Sequence, residues 1–356
     1  MVHQDFVNLL KEYRSLVWPE IDKRLSTTID FEKYCQVKEK YQHLLDFHLE
    51  MLSVYPQRMG KYFRPSMVML TGEAMGAPRE KLLLTAAAQQ LSEEWILIHD
   101  DVEDDSEQRR GDSALHHLYT KELAINAGDI VHVLMWKLLQ DNRQLIGDEL
   151  TFSIMDEFTK MLNRTVFGQT VEIKWTQENA QNLTDEDILL ILEGKTGYYT
   201  VAGPMREGAI IAGATPDQLE KIYHFGKLTG YCFQIKDDLL DLTSDFCGLK
   251  KQTGNDIFEG KRTIMLAHLM RTISGDDKRQ LSVILDKTRF QKTQSEVDWI
   301  ISKMNTLGSI DYADKLMRSF ALQAQEYFHQ ELGFLSHQPA RDYIEYLPEF
   351  LVNRDH

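Results

Sequence analysis

Apolar residues recur along this chain at the three-and-four spacing of amphipathic helices, and strand-like alternation is hard to find. Leu84, Ala88, Leu91, Trp95 and Ile98 form one stripe, and Val131, Leu134 and Leu138 another. Breaks at Gly76-Ala-Pro78, Asn182-Leu-Thr184, Gly213-Ala-Thr-Pro216 and Ser274-Gly-Asp-Asp277 separate long helical stretches. The pattern predicts an all-α, mostly antiparallel helix assembly. No composition shift, Gly/Ser linker or fixed repeat marks a boundary, so residues 1–356 are expected to form a single domain.

Composition narrows the function classes. With 43% hydrophobic residues in 356, the chain can bury a large core. No apolar run approaches the roughly 18 residues that span a bilayer. The first residues carry charges throughout instead of a signal-peptide pattern, so a cytoplasmic protein is expected. The cysteines, Cys35, Cys232 and Cys247, lie far apart and fit neither a disulfide framework nor a CxxC metal site. A net charge of −15 disfavours nucleic acid as a partner, because binding a polyphosphate rewards a basic face. Any phosphate bound here must meet a local basic cluster or bound cations.

His99-Asp-Asp-Val-Glu-Asp-Asp-Ser-Glu-Gln-Arg-Arg-Gly111 carries the chemistry such a ligand needs. Asp100, Asp101 and Asp104 follow the pattern DDxxD, and on a helix these spacings let three carboxylates converge. Hard oxygen donors of this kind suit Mg2+, which keeps several waters and adds phosphate oxygens to one or two carboxylates. A solvated acidic helix end is the competing reading of one such triplet. A second, Asp237, Asp238 and Asp241, lies within apolar sequence, where unpaired carboxylates are expensive. The two could clamp cations around one diphosphate and stabilise it as it leaves.

Basic residues stand where a metal-free phosphate site would need them: Lys61 and Arg64 in Gly60-Lys-Tyr-Phe-Arg-Pro65, and Arg109-Arg110 after the first triplet. Lys61 and Arg64 are expected together at the start of a helix. Lys195-Thr196, Lys251 and Lys261 are further candidates, although surface lysines are the usual explanation of such positions. No GxGxxG, P-loop, GxSxG or HExxH occurs, which removes support for nucleotide binding by glycine-rich loops, serine hydrolysis and zinc chemistry.

In this order GKYFRP, HDDVEDDSEQRRG, AINAGD, RTVFGQTVEI, Lys195-Thr196, GYCFQIKDDLLD and GNDIFEGKRT resemble the trans-isoprenyl diphosphate synthases, the farnesyl and geranylgeranyl diphosphate synthase family. The resemblance runs from about Gly60 to Lys261. It implies the type I isoprenoid synthase fold, a helix assembly around a central cavity, and a homodimer. It implies that Asp100, Asp101, Asp104, Asp237 and Asp241, with Asp238 beside them, bind Mg2+ bridging an allylic diphosphate. Arg109, Lys195, Lys251 and Lys261 would hold that diphosphate, Lys61, Arg64 and Arg110 would hold isopentenyl diphosphate, and Thr196 and Gln234 would line the reacting centre.

The implied mechanism is ionisation to an allylic carbocation, attack by the isopentenyl double bond and loss of a proton. This chain departs from the family in having Glu93 where Gln or His helps bind isopentenyl diphosphate, and Lys250-Lys251 where Gly-Lys is usual. Trp95 and Ile96 occupy the positions that floor the product cavity, and geranylgeranyl diphosphate is the expected product, with farnesyl diphosphate the alternative. A class I terpene cyclase predicts an Asn/Ser/Glu second motif, against the DDLLD found here. A non-catalytic partner subunit predicts lost aspartates, against two complete triplets.

Overall fold

Helices carry the chain as the spacing predicts. A computed structural model describes residues 2–26, 37–243 and 253–354. The first half runs through α1 (Val2–Ser26), α2 (Gln42–Gln57), α3 (Phe63–Ala74), α4 (Arg79–Glu103), a hairpin of β1 (Gln108–Arg109) and β2 (Asp112–Ser113), α5 (Leu115–Leu118), α6 (Lys121–Asp141) and α7 (Arg143–Gln177). Gly147, at φ 80° and ψ 172°, breaks α7 near its start. The second half comprises α8 (Asp185–Ile191), a π-helix (Leu192–Ala202), α9 (Gly203–Ile211), α10 (Pro216–Thr243), α11 (Asn255–Glu259), α12 (Ile264–Thr272), α13 (Gly275–Leu285), α14 (Gln294–Thr306), α15 (Ser309–Glu331) and α16 (Ala340–Asn353).

The anticipated breaks coincide with helix ends, for chemical reasons. Thr184 caps α8, accepting the Asp187 N–H while the Asp187 carboxylate returns to the Thr184 N–H, which satisfies two otherwise orphaned donors. Gly76 (φ 87°) and Gly213 (φ 83°) take the left-handed conformation that closes α3 and α9.

The chain divides into two compact units. One comprises Met1–Asp156, Pro204–Thr215 and Ser336–Arg341. Within it α4 packs on α1, α3 and α6. The stripes foreseen from the sequence are its core: Ala88, Leu91, Val131 and Leu138 are fully buried. The other unit comprises Glu157–Gly203, Pro216–Leu335 and Asp342–His356. There α10 packs on the π-helix and on α15. A Cβ on Gly230 would stand 2.3 Å from the Gly197 Cα, so the two backbones meet where neither residue has a side chain.

Candidate functional site

The first aspartate triplet ends α4. Asp104 is the C-cap, its N–H bonded to Asp100 O, and Asp105 turns left-handed (φ 51°) while the Ser106 N–H reaches back to Asp101 O. That stop sends the chain into the hairpin. Arg110 (φ 55°) and Gly111 (φ 87°) form its tight turn, since both central residues of such a turn need positive φ. The Arg-Arg-Gly segment is therefore a reversal that carries Arg109 back onto the triplet.

Asp101 is buried and fully engaged. Its carboxylate accepts from Tyr55 Oη at 2.5 Å and from Arg109 Nε at 3.0 Å and 3.1 Å, with Arg109 Nη2 closing the fork. Arg109 Nη2 also lies 3.7 Å from Asp100 Oδ2, so one guanidinium bridges two of the three aspartates. Burial pushes the Tyr55 hydroxyl well above its usual range, and the Asp101 charge pushes it the same way.

The second basic group gathers around α4 as well. Arg110 forks onto Glu94 at 2.9 Å to 3.0 Å and donates to Tyr55 O at 3.1 Å. Glu93 lies 3.2 Å from Arg64 Nη1 and 3.7 Å from Arg110 Nη2. A carboxylate at this position thus sits between two guanidiniums. Glu94 is fully buried, and burial pushes its carboxyl up to about 7 against the opposing pull of Arg110. A Cβ on Gly60 would be 2.8 Å from Arg110 Nη2, so a larger residue before Lys61 would push the guanidinium aside. Lys61 is exposed and precedes the helix instead of sharing its first turn; α3 begins at Phe63 after Tyr62, which is left-handed at φ 56°.

Below the triplet, Trp95 stacks on His132 of α6 with ring centroids 3.9 Å apart, and its edge approaches His99. Trp136 Nε1 donates to His132 Nε2 at 2.8 Å, while burial holds that imidazole below its ordinary range. Ile96 is half-buried on the neighbouring face. His99 reaches Ile125 O at 3.2 Å and Asp129 at 3.6 Å over Gly128, whose missing side chain leaves the imidazole its place.

The second triplet lies on α10. Thr196 Oγ1, on the π-helix, donates to Gln234 Oε1 at 2.8 Å, and Gln234 Nε2 donates to Asp238 Oδ1 at 2.7 Å. Lys195 Nζ donates to Glu172 of α7 at 2.7 Å. Asp241 accepts the Asp256 N–H at 3.0 Å, which ties α10 to α11, and Lys261 donates to Glu259 at 2.6 Å. Asp237 pairs with Arg354, the residue after α16, at 2.5 Å. Lys251 lies outside the described residues.

Burial pushes the Asp238 carboxyl up to about 7, and the charges of Asp237, Glu172 and Asp241 add to the shift while the Gln234 bond opposes it. Carboxylates crowded closely enough to raise Asp238 in this way are oxygen donors whose mutual repulsion a hard divalent cation would relieve. Among the described residues no three acidic, histidine or cysteine side chains cage an ion by themselves.

Sequence reasoning missed Tyr55, Glu94, His132, Glu172 and Arg354. The first four are within or beside the motifs but carry no spacing signal, and Arg354 is distant in sequence from everything it touches.

Residues 46–304 match the family described as polyprenyl synthetase. The chain is 30% identical over 299 residues to a short chain isoprenyl diphosphate synthase of Methanothermobacter thermautotrophicus, covering 83% of this chain and 87% of that protein. It is 30% identical over 297 residues to a geranylgeranyl diphosphate synthase of Sulfolobus acidocaldarius, with the same coverage. Its fold is similar to that of the geranylgeranyl pyrophosphate synthetase of Pyrococcus horikoshii, at a TM-score of 0.83 and 26% identity over 99% of this chain and 100% of that one. It is also similar in fold to a geranylgeranyl pyrophosphate synthase of Corynebacterium glutamicum solved with isoprenyl diphosphate and magnesium, at a TM-score of 0.81 and 21% identity over 99% and 98% of the two chains.

Proposed function

The chain belongs to the polyprenyl synthetase family, the trans-isoprenyl diphosphate synthases, and on that premise we propose that it joins isopentenyl diphosphate to an allylic diphosphate to give geranylgeranyl diphosphate. What carries the reading is one chain bearing two complete aspartate triplets, the first bridged by Arg109 and the second paired with Arg354. Asp100, Asp101, Asp104, Asp237, Asp238 and Asp241 would hold Mg2+, which neutralises the charge that grows on a departing diphosphate.

The chain's own residues do the rest. Arg109 orients the phosphate end of the allylic substrate while keeping Asp101 in place, and Lys195, Lys251 and Lys261 add charge to the same diphosphate. The bond between the allylic carbon and oxygen breaks with its electron pair leaving on the diphosphate. The Thr196 hydroxyl and the Gln234 amide turn their dipoles toward the resulting carbocation. Lys61, Arg64 and Arg110 hold isopentenyl diphosphate, with Glu93 fixing the two guanidiniums instead of touching phosphate. Its double bond attacks the cation, forming the new carbon–carbon bond, and the adjacent carbon gives up a proton to the departed diphosphate.

The stacked Trp95 and His132 would stop the growing chain, with Ile96 beside them. A floor filled by two rings also favours the shorter farnesyl product, which is the second reading. We further propose a homodimer working in the cytoplasm with each copy as one catalytic domain. Among the described residues no helix is long and apolar enough to cross a membrane. The test is incubation with radiolabelled isopentenyl diphosphate, each allylic starter in turn, and Mg2+ or EDTA. An EDTA-sensitive linear C20 diphosphate is expected; a C15 product selects farnesyl diphosphate, a cyclised hydrocarbon a cyclase, and no product a non-catalytic subunit.

A further inference from the structure

We propose that Arg354 is a built-in countercation of the second aspartate triplet, seated on Asp237 until a divalent cation displaces it from Phe233 and Asp237. The inference rests on the reading of that triplet as a Mg2+ site. Arg354 follows α16 directly, and its side chain is 7% exposed while that of Asp237 is 41% exposed. The guanidinium lies 4.3 Å from the centre of the Phe233 ring and donates through Nη2 to Phe233 O at 2.9 Å and to Asp237 Oδ1 at 2.5 Å. Phe233 and Asp237 are one helical turn apart, so a single arginine reads the face of α10 that presents the triplet.

Two features make this seat conditional. Arg354 Nε is buried with no hydrogen-bond partner, a cost that the ion pair with Asp237 must offset. The partner is also the wrong one to keep. Asp237, Asp238 and Asp241 lie together with Glu172 near them, so a divalent cation gains more from this group than a guanidinium does. Once the cation binds Asp237, a buried like charge sits beside it, and the arginine loses its reason to stay. The half-exposed carboxylate gives the incoming ion a way in.

The test uses the full chain, Mn2+ as the metal probe and inorganic pyrophosphate. Unbound Mn2+ is measured by electron paramagnetic resonance for the wild type and Arg354→Gln. Trypsin cleavage after Arg354 is followed by mass spectrometry for the wild type and Asp237→Asn. The expected results are Mn2+ binding about tenfold tighter in Arg354→Gln, within the usual range of coupling between sites, and faster wild-type cleavage when Mn2+ and pyrophosphate are added. Asp237→Asn should be cleaved fast without metal, which reports the seat independently of metal affinity. Equal Mn2+ affinity in wild type and Arg354→Gln overturns the displacement while leaving the metal site standing. Slower wild-type cleavage on adding Mn2+ and pyrophosphate overturns it too, because the arginine then stays to hold phosphate. No Mn2+ binding to either protein overturns the displacement and the metal site together.

Discussion

Asp101 and Glu94 are two buried carboxylates on one helix with different tasks. Asp101 is saturated by Tyr55 and Arg109, so its carboxylate is the keystone that ties α2, α4 and the hairpin together. Asp101→Asn strands the Arg109 guanidinium, and a loss of about 3 kcal/mol of stability is expected, with turnover abolished; an unchanged unfolding temperature would remove the keystone role. Burial raises the Glu94 carboxyl against the opposing pull of Arg110. Its folded-state carboxyl titrates near 7 where an unfolded one titrates near 4.5, so its stabilising contribution is full below 4.5 and is lost as pH rises toward 7. Glu94→Gln should flatten the dependence of unfolding temperature on pH across that window; parallel wild-type and variant profiles would assign the dependence elsewhere. The aspartate triplets were legible because i, i+1, i+4 is a pattern in one helix. Tyr55, Glu94 and Arg354 were not, since each is defined by a partner that only tertiary packing brings near.

At the scale of elements, the helices and their ends were legible from apolar period and turn chemistry, but two devices were not. The hairpin at Arg110-Gly111 is too short to show alternation. The π-helix of residues 192–202, which carries Lys195 and Thr196, differs from an α-helix in backbone pairing and not in composition. Glycine marks where it must fit: Gly168 leaves room for the Lys195 backbone and Gly230 for Gly197. Gly230→Val should force α10 and the π-helix apart, costing about 1–3 kcal/mol as overpacking does and lowering kcat more than it raises KM, because Thr196 and Gln234 then separate. Steady-state kinetics at saturating substrates check this, and an unaffected kcat would mean the pair is not needed in register. Trp95 and His132 join α4 to α6 by a stack. Trp95→Ala should open the floor and lengthen the product, read by resolving labelled products by chain length; an unchanged distribution places the stop elsewhere.

Across the whole molecule, the family and the helical fold were legible in the ordered motifs, whereas nothing in a single chain's spacing states how copies assemble. Exposed apolar side chains supply the argument. On α6, Ile125 is 43% and Val133 58% exposed, and Phe152 on α7 is 60% exposed. These positions contribute nothing to the core, and a second copy of the chain would take them out of water at roughly 25 cal/mol for each Å² covered. Opposing this is charge, since each copy carries a net −15 and a dimer doubles it. Salt screens that repulsion over a Debye length of about 8 Å at physiological ionic strength. A dimer seated on this face should therefore tighten as salt rises from low to physiological concentration, the reverse of an interface held by ion pairs. Val133→Glu should shift the population to monomer without altering the helical circular dichroism, because the added carboxylate lies on the surface of one copy and in the seam of two. Sedimentation velocity at two salt concentrations separates the cases: a dimer untouched by the substitution puts the seam on another face, and one loosened by salt makes it polar.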